Sequence, residues 1–203
     1  MSPPLCRSLR WLAGTAALLS SALAAATDLA DAEQMLQTTT REFLAIMYQP
    51  PAGGALLTER TRPVLEKYFN FALLTRRAVG PGWRQFTPEQ QERITRLLTE
   101  VVIRSYCSHF DTNLRSQITY AAPVALAPDR CELPTTIVYA GRNIAVSYRA
   151  ERLPEGWRCY DVIVEGVSLV ANYRAQFTAL SAKGGAAAII HALDENLAAN
   201  PPL

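Results

Sequence analysis

The chain is expected to fold as an α+β domain, with helices packed on a curved antiparallel sheet of about four strands. Three observations predict this. Apolar residues recur at helical spacing from Asp28 to about His109, short β-rich runs replace that pattern between Ile118 and Glu165, and helical spacing returns after Gly166. Helix, sheet and helix in separate blocks, without βαβ alternation, place the helices together on one face of an antiparallel sheet.

Ahead of the first block stands MSPPLCRSLRWLAGTAALLSSALAAATDLAD. Arg7 and Arg10 precede an apolar run of about 12 residues, and Ala24 and Ala26 provide the small-x-small pattern of an export cleavage site. Residues 1–26 therefore read as a secretory signal peptide and 27–203 as a single domain. A membrane anchor would need about 20 apolar residues, more than this run offers. Cys6 lies before the apolar run, the wrong side for a lipid-modified cysteine at a new N-terminus.

The first helix of the domain spans Asp28 to Tyr48, with Leu29, Ala32, Met35 and Leu36 leading into Phe43, Ile46 and Met47. Gln49-Pro50-Pro51-Ala52-Gly53-Gly54 ends it, because proline and glycine oppose continuation. A second helix starts near Leu57, breaks between Tyr68 and Phe71, and resumes to Val79 before the turn Gly80-Pro81-Gly82. Thr87-Pro88-Glu89-Gln90 is the clearest helix start. Thr87 suits the N-cap, Pro88 the first helical position, and Gln90 can close a capping box. Ile94, Leu97, Leu98, Val101, Val102 and Tyr106 then mark one apolar face of a long helix ending near His109.

In the β-rich block, Leu133 to Tyr139 runs to the turn Ala140-Gly141-Arg142-Asn143, after which Ile144, Val146 and Tyr148 alternate with Ala145, Ser147 and Arg149. A connection over 151–156 leads to a strand from Trp157 to Val164. Links this short join antiparallel neighbours, since a parallel pair needs a crossover of a dozen residues or more. Leu169, Tyr173, Phe177 and Leu180 start the closing helical block, and Gly184-Gly185 separates a last helix from Ala186 to Asn196.

The 20 basic and 18 acidic residues become 18 of each without residues 1–26, so composition offers no case for a nucleic acid partner. Cys107, Cys131 and Cys159 remain. Cys131 and Cys159, both at edges of predicted strands, are the pair placed to form a bridge, whereas Cys107 beside Tyr106 reads as a small buried apolar residue. His109 and His191 lie in no metal-binding or catalytic spacing, and neither a nucleophile elbow nor a phosphate-cradling glycine loop is present. Neither cofactor nor metal is expected. Asp161 and Glu165, four apart on one strand, form the one carboxylate pair that could do acid/base work beside Tyr148 or Tyr160. The competing structural reading has Asp161 anchoring a turn or a buried N–H and Glu165 paired with Arg149 or Arg174.

Two strings carry a resemblance. Arg62-Pro63-Val64-Leu65, Tyr68-Phe69-Asn70-Phe71, Val79-Gly80, Trp83 and Thr87-Pro88-Glu89-Gln90-Gln91 form the first. The second, more specific, is the run Trp157-Arg158-Cys159-Tyr160-Asp161-Val162-Ile163-Val164-Glu165-Gly166-Val167-Ser168-Leu169-Val170 followed by Asn172-Tyr173-Arg174 and Phe177. Together they resemble the MlaC family of periplasmic phospholipid-binding proteins, also called toluene-tolerance auxiliary proteins, over Asp28 to Leu197. The resemblance implies an NTF2-like cone with an apolar cavity and a non-enzymatic carrier. Its ligand would be a glycerophospholipid, shuttled between an outer-membrane lipoprotein complex and an inner-membrane ABC transporter complex with its lipid-binding ring. A sister branch associated with hopanoid biosynthesis implies a polycyclic lipid as the alternative ligand. An isomerase-like enzyme using Asp161 or Glu165, and a purely structural envelope partner, are the readings from other classes. A monomer in the periplasm is expected. The sequence departs from the family pattern in having Ile94 and Leu98 at aromatic positions and two prolines between Ala121 and Arg130.

On such an architecture the expected sheet wall of the lipid site is Ile137, Ile144, Val146, Tyr148, Val162 and Val164, with Ile163 the substitute if the last strand has the opposite phase. The helix wall is Leu65, Phe69, Leu98, Val101 and Val102, with Val167, Leu169 and Tyr173 near the mouth. Arg76, Arg77 and Arg174 are the expected candidates for attracting a phosphate.

Overall fold

A computed structural model of the chain describes residues 12–49, 54–108 and 114–200. Five helices pack against one open antiparallel sheet of six strands, as the block order requires. Helix α1 (Leu12–Met47) is longer than predicted. The Ala- and Leu-rich run before Asp28 contains strong helix formers and no proline, so the backbone continues through it. Helices α2 (Gly54–Tyr68) and α3 (Phe71–Val79) are separated where the sequence breaks. There Asn70 donates its backbone N–H to the Cys159 carbonyl at 2.7 Å, and its side chain caps α3 by accepting from the Leu73 N–H at 2.9 Å.

A 3-10 turn (Gly80–Gln85) leads into α4 (Pro88–Ser108). The predicted capping box forms in full. Thr87 N–H donates to Gln90 Oε1 at 3.0 Å, and Gln90 N–H donates to Thr87 Oγ1 at 3.3 Å. The predicted end of this helix at His109 and the break over 50–53 lie outside the described residues. Helix α5 (Leu169–Ala199) contains the predicted interruption as a kink. Gly184 and Gly185 leave helical geometry, with Gly185 at φ +59°, a conformation that strains any residue with a Cβ.

The strands are β1 (Gln117–Tyr120), β2 (Val124–Ala127), β3 (Arg130–Tyr139), β4 (Arg142–Leu153), β5 (Gly156–Val164) and β6 (Val167–Ser168), in the order β1-β3-β4-β5-β6. The sheet thus holds six strands where about four were expected. The additions are short. β1 and β2 follow one another along the same edge of β3, interrupted around Pro123, which has no N–H to give to a ladder. β6 is the return of a tight hairpin through Glu165 (φ +49°) and Gly166 (φ +81°).

A bulge sets the phase of β5. Arg149 pairs with Asp161 and Ala150 with Cys159, leaving Tyr160 as the extra residue. Trp157 and Cys159 therefore share a face with Val162 and Val164, not with Asp161. This accounts for a strand whose two faces both read as apolar.

Two apolar cores result. One joins α2, α3, α4 and α5, with Leu74, Ile94, Leu98, Ile103 and Ile189 fully buried. The other joins α1 to the sheet through Ala32, Leu36, Cys131, Leu133, Tyr148, Ala150, Trp157, Cys159 and Val162. Phe69 and Tyr106 touch both.

The bridge that Cys131 and Cys159 could have formed is absent; the three cysteines among the described residues are free and buried. Cys131 pairs with Ala150, and Ala150 in turn with Cys159. The two cysteines sit on strands with a third between them, so their Cα atoms are about 9.6 Å apart at ~4.8 Å per strand, beyond the ~7 Å Cα–Cα limit for a disulfide. Burial pushes the Cys159 thiol up to about 12, with Cys131 adding to it, and burial alone pushes Cys131 up to about 11. An intact mass of the fully reduced chain is expected, with these thiols alkylated only after denaturation. Both folded values lie above the ordinary thiol near 8.5, so the folded state holds protons that the unfolded state loses. Their contribution to stability is complete below about pH 8.5 and declines as pH rises towards 12. Rapid alkylation of native protein would contradict the buried assignment.

Candidate functional site

At the β3–β4 hairpin end of the sheet, side chains and helices enclose an apolar hollow of about 250 Å³. Strand alternation brings one face to it: Ile118 from β1, Ile137 and Tyr139 from β3, Ile144, Val146 and Tyr148 from β4, and Val164 from β5. Register places Ile137 opposite Ile144 and Val146 opposite Val164, so the wall is a cross-strand patch. The helical wall comes from Leu36, Thr39, Thr40, Phe43 and Leu44 of α1, from Leu65 and Phe69 at the end of α2, and from Tyr106 of α4.

The opposite half of the sheet face is closed. There the cross-strand row Cys131, Ala150 and Cys159 carries small side chains, and Ala32 of α1 packs in the same cluster with Trp157. Small residues on both surfaces let helix and sheet meet. Towards the hairpin, branched and aromatic side chains hold them apart.

Among the described residues no charged side chain lines the hollow. Its two threonine hydroxyls are already engaged. Thr39 Oγ1 donates to the Met35 carbonyl at 2.8 Å, and Thr40 Oγ1 donates to the Leu36 carbonyl at 3.0 Å while also meeting the Tyr120 hydroxyl. Burial raises the pKa of Tyr106, and burial followed by the neighbouring Tyr106 raises that of Tyr148, so both stay neutral phenols. Such a surface, mostly aliphatic and aromatic and with its phenols neutral, solvates hydrocarbon. Among the described residues no group of His, Cys, Asp and Glu could hold a metal, and no helix is long and apolar enough to cross a membrane.

Of the residues named from sequence, Leu65, Phe69, Ile137, Ile144, Val146, Tyr148 and Val164 meet around this hollow. The others lie elsewhere. Leu98, Val101 and Val102 face the helical core, because α4 turns that side to α2, α3 and α5; only Tyr106, near its C-terminus, reaches the hollow. Val162 is buried beside Tyr148 in the closed packing. Leu169 and Tyr173 pack on the helical core, Tyr173 against Phe177 with ring centroids 5.5 Å apart. Val167, on the β6 edge, is 64% exposed. The whole α1 contribution escaped the sequence reading. Its signal was present in the spacing of Leu36, Thr40, Phe43 and Leu44, one stripe of a helix.

The carboxylate pair also divides. Asp161 is buried and accepts from Ser168 Oγ at 2.7 Å and the Val170 N–H at 3.0 Å, anchoring the first turn of α5. Glu165 is exposed and accepts from the Ala145 N–H, and pairs with neither Arg149 nor Arg174. Arg149 instead bonds Glu132 at 3.1 Å. The arginines expected near the mouth serve the scaffold. Arg77 sits 4.1 Å over the Tyr160 ring and 3.3 Å from Glu151, and Arg174 donates to the Arg77 carbonyl at 2.9 Å. Arg76 is exposed on α3, away from the hollow.

A second depression, about 560 Å³, adjoins the hollow and shares Thr40, Leu44 and Ile118 with it. Arg41, Tyr48, Arg115 and Tyr120 complete its lining with Ala45.

Fold and hollow together define a class: α+β proteins whose sheet and helices line an apolar space suited to an apolar ligand. The chain belongs to the MlaC family, whose model, described as MlaC protein, matches residues 37–195. That family consists of non-enzymatic lipid-binding carriers. Among solved structures, the phospholipid-binding protein from Ralstonia solanacearum, determined in complex with a phospholipid, superposes with a TM-score of 0.77 at 27% sequence identity. The match covers 83% of this chain and 97% of that one. No curated protein gives a significant sequence match.

Proposed function

We propose that the protein is a periplasmic carrier that holds the acyl chains of a glycerophospholipid in the hollow and shuttles the lipid between outer- and inner-membrane complexes. The apolar hollow, in a chain of this family, carries the reading. The phospholipid bound by the Ralstonia solanacearum protein supports it at 27% identity.

The energetics favour a carrier over free diffusion. At ~0.8 kcal/mol per methylene, a 16-carbon chain gains about 12 kcal/mol on leaving water, so an unaided lipid almost never crosses an aqueous gap. A hollow lined by aliphatic and aromatic side chains offers nearly the medium of a bilayer, and near-equality lets the lipid both enter and leave. At about 250 Å³ the hollow is below the ~300–1,000 Å³ common for ligand pockets, so a two-chain lipid requires it to widen. The α1 wall is the element to move, because Phe43 and Leu44 meet the sheet only across the hollow.

Export fits the leader-like residues 1–26. Asp28, just beyond them, is tied to the domain by the Trp157 indole N–H at 3.3 Å and by Arg152. Expression of the full chain in a Gram-negative host is expected to yield protein starting at Thr27. Mass spectrometry of its organic extract is expected to give diacyl phospholipid near one per chain. A polycyclic lipid would reassign the ligand, and folded protein free of any lipid would end the proposal.

A further inference from the structure

We infer that Arg41 and Arg115 form a binding site for the phosphate ester of the lipid whose chains occupy the hollow. The inference rests on the proposed carrier function and specifies which end of the ligand the protein reads. Arg41 on α1 and Arg115 before β1 line the same depression, which shares Thr40, Leu44 and Ile118 with the apolar hollow. A lipid with its chains among Phe43, Ile144 and Val146 would leave through that shared wall and bring its headgroup between the two guanidiniums.

The two arginines differ from the chain's paired arginines in having no acidic partner among the described residues, and from Arg76 in lying beside the hollow. Arg77 and Arg174 are held by Glu151 and a backbone carbonyl, and Arg62, Arg104 and Arg149 are paired with Glu100 or Glu132. Among the described residues no carboxylate lies within ion-pair distance of Arg41 or Arg115, and none lines the depression. Arg115 is nonetheless positioned, its guanidinium 4.1 Å from the centre of the Tyr48 ring. Tyr48 in turn is fixed by the Ser116 backbone N–H, which donates to its hydroxyl at 2.7 Å, and by the Ser116 hydroxyl at 2.8 Å. Stacking leaves the edge N–H groups of a guanidinium free to form the two-pronged bond that suits phosphate oxygens. The boundary between the depression and the hollow is drawn by the Thr40 and Tyr120 hydroxyls, which bond each other and mark where the lining turns from apolar to polar.

The test uses full-length exported protein stripped of lipid and reloaded from mixed vesicles. Phosphatidylglycerol and a diacylglycerol with the same chains share the tails and differ in the phosphate. Wild type is expected to prefer phosphatidylglycerol by about tenfold, as two charge-assisted contacts imply, and added salt should shrink the preference. The double variant R41A/R115A is expected to bind diacylglycerol as wild type does and to lose the preference, and R41K/R115K to keep part of it. Equal wild-type binding of the two lipids, or a preference that survives in R41A/R115A, would overturn the phosphate site while leaving the carrier function standing. Inorganic phosphate binding as tightly as phosphatidylglycerol would overturn the lipid as its source. Failure of wild type to take up either lipid would instead remove the carrier function itself.

Discussion

Ile144→Trp is expected to empty the protein of lipid without unfolding it. Ile144 is half-buried, faces Ile137 across the β3–β4 ladder, and points into the hollow. An indole there occupies space that hydrocarbon would otherwise fill. Excluding about three methylenes forfeits about 2.4 kcal/mol, or roughly fiftyfold in occupancy. The same change at a closed position would overpack the core, but here the added ring meets open volume, so thermal stability should stay within a few degrees. Lipid per folded chain, from phosphorus or mass analysis of gel-filtered protein, reads the result. Ile144→Ala enlarges the space and should retain lipid. Wild-type lipid content in folded Ile144→Trp would mean that the ligand sits elsewhere.

Asp161→Ala is expected to give the largest loss of stability, about 3–4 kcal/mol. The carboxylate is 2% exposed and satisfies the Val170 N–H, one of the donors that the first turn of α5 cannot satisfy within the helix. Ser168 caps the neighbouring Ala171 N–H at 3.0 Å and is itself held by Asp161 at 2.7 Å, so one deletion loosens both caps. A negative charge at a helix N-terminus is favourable as well. For a domain near this size the loss corresponds to roughly 6–15 °C in Tm. Asp161→Asn keeps an acceptor and should cost clearly less. Because no residue of α5 lines the hollow, the folded fraction of either variant should carry lipid as wild type does. Lost lipid in a variant of undiminished stability would assign Asp161 to the ligand instead of the scaffold.

Local rules were legible wherever one segment settles its own fate. The capping box at Thr87 and Gln90, the break at Tyr68 to Phe71, the turn at Ala140-Gly141 and the kink at Gly184-Gly185 all depend on a few neighbouring residues and appear where predicted. The strand phase of β4 was equally plain, because Ile144, Val146 and Tyr148 alternate with polar or small residues. β5 was not, since a bulge at Tyr160 inverts the alternation and no spacing in one strand announces a bulge in its pairing with another. Whether Cys131 and Cys159 pair was open in the sequence for a related reason: both cysteines face the same side, but Ala150 stands between them.

Sequence alone determined the α+β class, the capped start of α4, the break before α3, the kink of α5, the apolar face of β4 and the family, because these follow from periodicity, caps and an ordered string of residues. Only the tertiary structure decided which apolar residues enclose space and which merely pack. Leu98 and Leu36 are both fully buried leucines on helix stripes, yet one fills the helical core and the other edges the hollow. The physical reason is that a void is a property of the distance between two surfaces. That distance is set by side-chain sizes on both, the small row at Cys131, Ala150 and Cys159 drawing α1 in and the larger residues towards the hairpin holding it off.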